Sequence, residues 1–330
     1  MNEVKIACYG MSGHQILGKM PDLKRARLVA VSGVDEERFR SLKEQFPDRV
    51  GDAAYYPDLD ALLGQCDFDL ISLCSDYRAH QADHAIQALE AGKHVLAEKP
   101  MACSFEKLEA LRRAADQAGK EVRTMNPMVY DARIWGVKEI VDSGEIGEVV
   151  HVYAMKSYPY RDTRPQDTGK DGGLTMQAGI HAVSFVRFTT GLDFAEIYCQ
   201  DTKHGNPKPG DLRIASNVAC RMNSGALCSM LVNYCNPHAI GFHGNDQLRV
   251  FGTKGMIELV DGFSRRMVAT HEKAPREYPL GTPSHQYPQD LIDCILDGTP
   301  TLLTQEDSFR NTQVVLAAQQ SADTGKPVKV

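Results

Sequence analysis

Between residues 4 and 125, short apolar runs alternate with stretches of helical spacing, and that rhythm leaves few folds open. Val4–Tyr9, Leu28–Ser32, Asp69–Cys74, His94–Ala97 and Val122–Met125 are too short for helices of their own and read as buried strands. Between them, Glu36 to about Gln45, Ala79–Ala91 and Phe105–Ala118 read as helices, the last two stopped by Gly92 and Gly119. A helix after each strand returns the chain to the same end of the sheet. Successive strands are therefore expected to pair in parallel through right-handed crossovers, giving a doubly wound α/β sheet.

Beyond residue 124 the rhythm changes. A helix near Ala132–Ser143 is followed by strand-like runs at Val149–Lys156, Ile214–Met222, Ala226–Asn233, Gln247–Phe251 and Met256–Val260. Turns such as Asn223-Ser224-Gly225 keep several connections short, as in antiparallel pairing. Helices are expected at Leu174–Thr190, at about Gln286–Leu296 and at Glu306–Thr324. A chain of 330 residues suits two domains. The expected division is an α/β domain over 1–124 and an α+β domain with a large, mostly antiparallel open sheet over 125–330.

The net charge of −6 is spread without a basic face, which argues against a nucleic-acid partner. No apolar run approaches the ~20 residues of a membrane-spanning helix, and the first strand follows Met1-Asn2-Glu3 with no charged-then-apolar leader. The nine cysteines lack Cys-x-x-Cys spacing, and several lie inside strand runs. They read as reduced core residues of a cytoplasmic protein, and no ligand spacing supports a metal site.

Three places carry chemistry. The turn after the first strand, Gly10-Met11-Ser12-Gly13-His14-Gln15, has the placement of a dinucleotide-binding loop. It keeps the first glycine of the pattern, puts Ser12 and Gln15 at the other two positions, and adds Gly13. Gln15 is the serious departure, because close helix–strand packing there calls for a small residue. The second strand ends Ser32-Gly33-Val34-Asp35, with Gly33 where an acid for ribose hydroxyls would stand. Arg38 and Arg40 follow, so the cofactor reads as NAD or NADP with an inclination to NADP. Third, Glu98-Lys99-Pro100 follows a buried strand and precedes a helix, where open α/β sheets bind ligands.

Taken together, these motifs resemble the Gfo/Idh/MocA family of NAD(P)-dependent oxidoreductases. Further carriers are Leu89-Glu90-Ala91-Gly92-Lys93-His94-Val95, Asp142-Ser143-Gly144-Glu145-Ile146-Gly147, Gly172-Gly173 leading to Gly179-x-His181, and Phe251-Gly252-Thr253-Lys254-Gly255. The resemblance implies a Rossmann domain followed by a domain whose open sheet makes dimer contacts, so a homodimer or homotetramer is expected. It places Lys99 beside the nicotinamide and the reacting hydroxyl, Glu98 on the cofactor side, and a Lys99–Pro100 bond that is often cis. His14, Cys74, Ser75, His80 and Asn126 join Gly10, Ser12, Gly13, Ser32 and Gly33 as cofactor-side residues. His181 is the implied general base, and Gln177 stands where an aspartate is usual. Tyr160 and Arg161, in an irregular stretch ahead of that helix, are substrate-side candidates with Gln177.

The implied activity is hydride transfer between nicotinamide and a sugar, polyol or related hydroxy compound. Two other readings are open. The replaced glycines and aspartate suit a dinucleotide-binding sensor or partner-binding protein without turnover. A tightly held cofactor would instead serve net non-redox sugar chemistry, by elimination or glycoside cleavage.

Overall fold

The computed structural model describes residues 2–241 and 243–330; Met1 and Phe242 lie outside the described residues. Two compact units emerge, one from Met1–Pro127, Gly169–Asp171 and His285–Thr312, the other from Met128–Thr168, Gly172–Ser284 and Gln313–Val330. The chain thus returns to the first unit twice beyond the linear division expected at 124/125. Residues 285–312 cluster with the first unit, where Leu291 and Ile292 complete a core with Val4, Ile6, Cys8 and Leu96.

The first unit holds strands β1 (Val4–Tyr9), β2 (Ala26–Ser32), β3 (Ala54–Tyr55), β4 (Leu70–Leu73), β5 (His94–Ala97) and β6 (Val122–Thr124). They form one parallel sheet in the order β3-β2-β1-β4-β5-β6. This is the dinucleotide-fold order, whose reversal between β1 and β4 opens a crevice at the strands' carboxyl ends. Helices α1 (Glu36–Gln45), α2 (Pro47–Val50), α3 (Leu59–Gln65), α4 (Gln81–Glu90) and α5 (Phe105–Ala118) follow in chain order. Their ends obey local chemistry: Ser104 caps α5 through Lys107 N at 3.2 Å, and Gly119 ends it in the left-handed conformation.

After the Gly10 turn the chain forms a 3-10 helix, Ile16–Asp22, with Pro21 inside it. Proline lacks the N–H that an α-helical ladder would use there. Gln15, which the motif made a liability, becomes a structural device. Its Nε2 donates to Gly10 O at 2.8 Å and Ser72 O at 3.1 Å, while its Oε1 accepts from Ile16 N at 3.0 Å and Ser72 Oγ at 2.5 Å. The amide ties the end of β1 to β4, where a glycine would have allowed the helix to approach instead. Gln15→Ala strands several partly buried partners and is expected to cost about 3 kcal/mol, read as a lower urea midpoint with an unchanged m-value.

The second unit is built on β7 (Val149–Ser157), β8 (Phe194–Thr202), β9 (Ala215–Met222), β10 (Leu227–Asn233), β11 (Gln247–Gly252), β12 (Gly255–Val260), β13 (Arg265–Thr270) and β14 (Val328–Lys329). Their order is β13-β12-β11-β7-β10-β9-β8-β14, antiparallel except for the β7–β10 pair. Along β9, Ser216, Val218, Cys220 and Met222 are buried while Asn217, Ala219 and Arg221 face out, the period-two signature of a sheet covered on one side. Helices α6 (Ala132–Asp142), α7 (Gly173–Gln177) and α8 (Gly179–Thr190) belong to this unit. Near the C-terminus lie α9 (Gln289–Asp297) and α10 (Gln305–Thr324). Strand β8 was not legible in sequence, because a register shift between Phe194 and Glu196 breaks its alternation. Among the described residues, no helix is long and apolar enough to cross a membrane.

Candidate active site

In the first unit the site grows from the turn after β1. Gly10 has φ +70°, and a Cβ there would lie 2.0 Å from Cys74 O, so only glycine lets β1 and the end of β4 come this close. The N–H of Ser12 reaches Cys74 O at 3.4 Å and that of Gly13 reaches Met11 O at 3.1 Å, which shapes the loop into a tight arch. A Cβ on Gly13 would come within 2.6 Å of Glu98 Oε1, so the arch rests on the Glu-Lys-Pro segment.

That segment is the electrostatic centre of the unit. The side chains of Glu98 and Lys99 are each 1 % exposed, with Nζ 3.1 Å from Oε1. His14 Nδ1 lies 3.1 and 3.2 Å from the two carboxylate oxygens. Burial alone would push the Glu98 carboxyl up, but Lys99, His14 and Arg78 outweigh it and hold it at about 2. Glu98 is therefore a fixed anion, and it fixes the lysine. The Lys99–Pro100 bond is cis, as the resemblance implies.

Two residues that sequence reading missed complete this arrangement. Gln81, fully buried at the start of α4, donates to Glu98 O and, at 3.1 Å, to Pro100 O, while accepting from Ser75 N at 3.3 Å. Arg78, also buried, donates to Ser12 O and to Gln81 Oε1, and its Nε has no partner among the described residues. A glutamine at a helix start is a weak sequence signal, and nothing local predicts that an arginine will be buried. Asn126 is fully buried at the end of β6.

Beside the turn lies a cleft of about 480 Å³ lined by Tyr9, Gly33, Val34, Asp35, Tyr55, Pro57, Asp76, Tyr77, His80 and His84. Ser75 Oγ meets His84 Nδ1 at 2.8 Å, and His84 packs edge-on against Tyr9 with centroids 5.2 Å apart. Burial, then the charge of His80, pushes the His84 imidazole below its ordinary value. The cleft is acidic: after burial, Asp76, Asp58 and Asp60 raise the Tyr9 phenol. Ser32, expected on the cofactor side, ends β2. It is fully buried and its hydroxyl donates to Asp58 O at 2.9 Å, so it braces the loop. The Asp35 carboxylate caps α1 through Arg38 N at 2.6 Å, and Arg40 pairs with Glu36 at 2.7 Å. Neither arginine lines the cleft.

A dinucleotide fits this unit on its own geometry. The glycine arch stands over a buried guanidinium, which favours an anion above it, and the adjoining cleft is of small-molecule size, at the sheet's reversal point. Among the described residues, no group of three or more His, Cys, Asp or Glu could hold a metal ion.

In the second unit, Gly172 and Gly173 take φ +91° and +72°, which turns the chain sharply into α7. The single helix expected over 174–190 is two helices, broken at Ala178, with Gln177 ending α7 and His181 in the first turn of α8. His181 is 4 % exposed. Gln177 Oε1 accepts from Tyr234 Oη at 3.5 Å. Tyr160 packs with Tyr158 against a cluster containing Leu174, Ala178, Val232 and Tyr234, and its buried hydroxyl has no partner among the described residues. Arg161 is exposed on the following turn.

A dinucleotide-type sheet with a buried lysine aimed from its carboxyl edge defines an NAD-binding oxidoreductase fold. The chain belongs to the Gfo/Idh/MocA family. Residues 4–125 match the model described as "Oxidoreductase family, NAD-binding Rossmann fold", and 134–258 match the "GFO/IDH/MocA C-terminal domain", together about three quarters of the chain. It is 27 % identical to a myo-inositol 2-dehydrogenase of Thermotoga maritima over 92 % of this chain and 91 % of that one. It is 33 % identical to a 1-carboxy-3-chloro-3,4-dihydroxycyclohexa-1,5-diene dehydrogenase of Comamonas testosteroni, over 50 % of this chain and 41 % of that one. A solved oxidoreductase from Thermotoga maritima superposes with a TM-score of 0.90 at 26 % identity, covering 99 % and 100 % of the two chains.

Proposed function

We propose that this protein is a dehydrogenase that interconverts a carbinol and a carbonyl on a sugar, polyol or related hydroxy compound. The observation that carries this is the buried Glu98–Lys99 pair, clamped at the carboxyl end of β5 by Gln81. When bound, the nicotinamide supplies the hydride acceptor or donor. Lys99 Nζ, oriented by Glu98 Oε1, donates a hydrogen bond to the substrate oxygen and stabilises it as negative charge develops. His181 takes the hydroxyl proton at an imidazole nitrogen and returns it in the reverse direction. Gln177, tied to Tyr234, carries no charge and orients the substrate by hydrogen bonding. The arch at Gly10, Ser12 and Gly13 with His14 holds the pyrophosphate, Gly33 and His80 line the cleft for the adenosine side, and Ser75 supports that cleft through His84. The test is reversible reduction of the cofactor across a panel of sugars and polyols. A protein that binds NADH yet reduces or oxidises none of them is a sensor instead.

The cofactor we assign is NAD. The sequence inclined to NADP because of Arg38 and Arg40, but Asp35 and Asp76 line the cleft, and they would repel a 2′-phosphate. NADH is expected to bind at least tenfold more tightly than NADPH by calorimetric titration; equal affinities would reject the assignment.

The open face of the second sheet supports a homodimer or homotetramer. Phe251 and Leu227, both exposed, flank His151 in one cross-strand row, an apolar patch on a face no helix covers. Leu227→Asp is expected to halve or quarter the mass measured by light scattering. A wild-type chain that already runs as a monomer would dismiss the oligomer.

A further inference from the structure

The second unit carries a positive wall that the redox chemistry does not use. Arg161 and Arg164 stand on one turn, with Arg164 N donating to Arg161 O at 2.9 Å. The Arg164 guanidinium lies 4.4 Å from the Tyr234 ring centroid and 5.9 Å from that of Tyr158. Neither arginine side chain has a carboxylate partner among the described residues. Two acids of this unit are engaged elsewhere: Asp246 pairs with buried Lys156, and Asp162 lies 3.6 Å from Lys208. Burial, followed by the charges of Arg161, Lys156 and Arg164, pushes His243 below its ordinary value, so it adds no charge near neutral pH. Lys156 and Asp246 cancel, so that pair supplies no counter-charge to the two arginines. The same wall reaches the reaction residues, because the ring under Arg164 belongs to the tyrosine that hydrogen-bonds Gln177.

We propose that the hydroxy substrate bears a carboxylate, held by Arg164 with help from Arg161. This rests on the dehydrogenase reading and names its substrate class. The guanidinium carbon of Arg164 sits over the Tyr234 ring, and a planar guanidinium presents paired N–H groups that match the two oxygens of a carboxylate. The buried Tyr160 hydroxyl and the second oxygen of Asp246, neither with a partner among the described residues, offer hydrogen bonds to the polyol body.

The test uses the purified full chain and matched pairs that differ in one group: D-gluconate against D-glucitol, D-galacturonate against D-galactose, and D-glucose 6-phosphate as the phosphate arm. Affinity is read by calorimetry with NADH present, and turnover by NADH formation. At least one carboxylate is expected to bind tenfold or more tightly than its neutral partner. Arg164→Gln should remove that preference while changing the neutral partner's affinity less than threefold. Arg164→Lys should restore part of it, and Arg161→Gln, on an exposed side chain, should reduce it without a change in Tm. No acid preference in any pair overturns the proposal, as does tighter binding of the phosphate than of every carboxylate. Acid preference without NADH formation leaves this inference standing and removes the dehydrogenase reading. Turnover of neutral substrates without acid preference does the reverse.

Discussion

Lys99→Met should lower kcat/KM by about 10²- to 10⁴-fold while NADH affinity stays within a few-fold of wild type. The substitution keeps the stem's volume in a position that is 1 % exposed and removes the charge that faces Glu98. It also has a cost in stability, because a buried carboxylate loses its nearest cation, which typically amounts to about 3–5 kcal/mol. A control separates the two effects. Lys99→Met combined with Glu98→Gln should recover much of the stability, since the unpaired charge is gone, and recover none of the turnover. If the double variant regains activity, Lys99 is structural and the mechanism is wrong.

The same pair sets an acid limit. The Glu98 carboxyl is held at about 2, against 4.5 for an ordinary glutamate, so it contributes stability that is fully present above about pH 4.5. That contribution, a few kcal/mol, is lost as pH falls toward 2. Glu98→Gln should therefore flatten the unfolding free energy between pH 4.5 and 2. In Lys99→Met, where burial is less opposed, the folded-state carboxyl moves up toward its unfolded value, so the acid-dependent loss should be smaller. A wild-type curve that is already flat over this range would contradict the assignment of Glu98 as a fixed anion.

His181→Asn is expected to reduce kcat by a further 10²- to 10⁴-fold in the oxidative direction, with KM for the hydroxy substrate changing little. Asparagine keeps a hydrogen-bonding group in a position that is 4 % exposed but cannot take a proton. The informative readout is the pH profile. Wild-type oxidation should rise with pH as the imidazole loses its proton, and the variant should lack that limb. An acid limb that survives in His181→Asn would assign it to another group and leave His181 as a packing residue. Because Gln177 cannot share the charge, no second carboxylate limb is expected beside it.

Much of the first unit was legible because its signals are local. Five of its six strands are apolar runs, helix ends fall at capping serines, aspartates and left-handed glycines, and Glu98-Lys99-Pro100 sits at the end of a strand. β3 escaped because two residues carry no period. The double glycine marked the entry to α7, yet the break at Ala178 did not show, since both helices continue one apolar pattern. Ser32 read as a cofactor-side residue because it ends the second strand beside Gly33, where the ribose acid is usual. Its hydroxyl had a nearer partner in Asp58, 26 residues away, which periodicity cannot reveal.

From sequence alone came the order of elements, the two kinds of sheet, the Gly10 arch and the lysine and histidine proposed for catalysis, because each depends on residues close together in the chain. Tertiary structure decided what those residues face. It turned Gln15 from a defect into a tie between β1 and β4, supplied Arg78 and Gln81 beneath the loop, and carried residues 285–312 back to the first core. It also kept Glu98 ionised despite burial and set Arg164 over the Tyr234 ring without a carboxylate partner among the described residues. These outcomes depend on burial and on partners tens to hundreds of residues away, and electrostatic energy in a folded chain is set by that geometry rather than by neighbours in sequence.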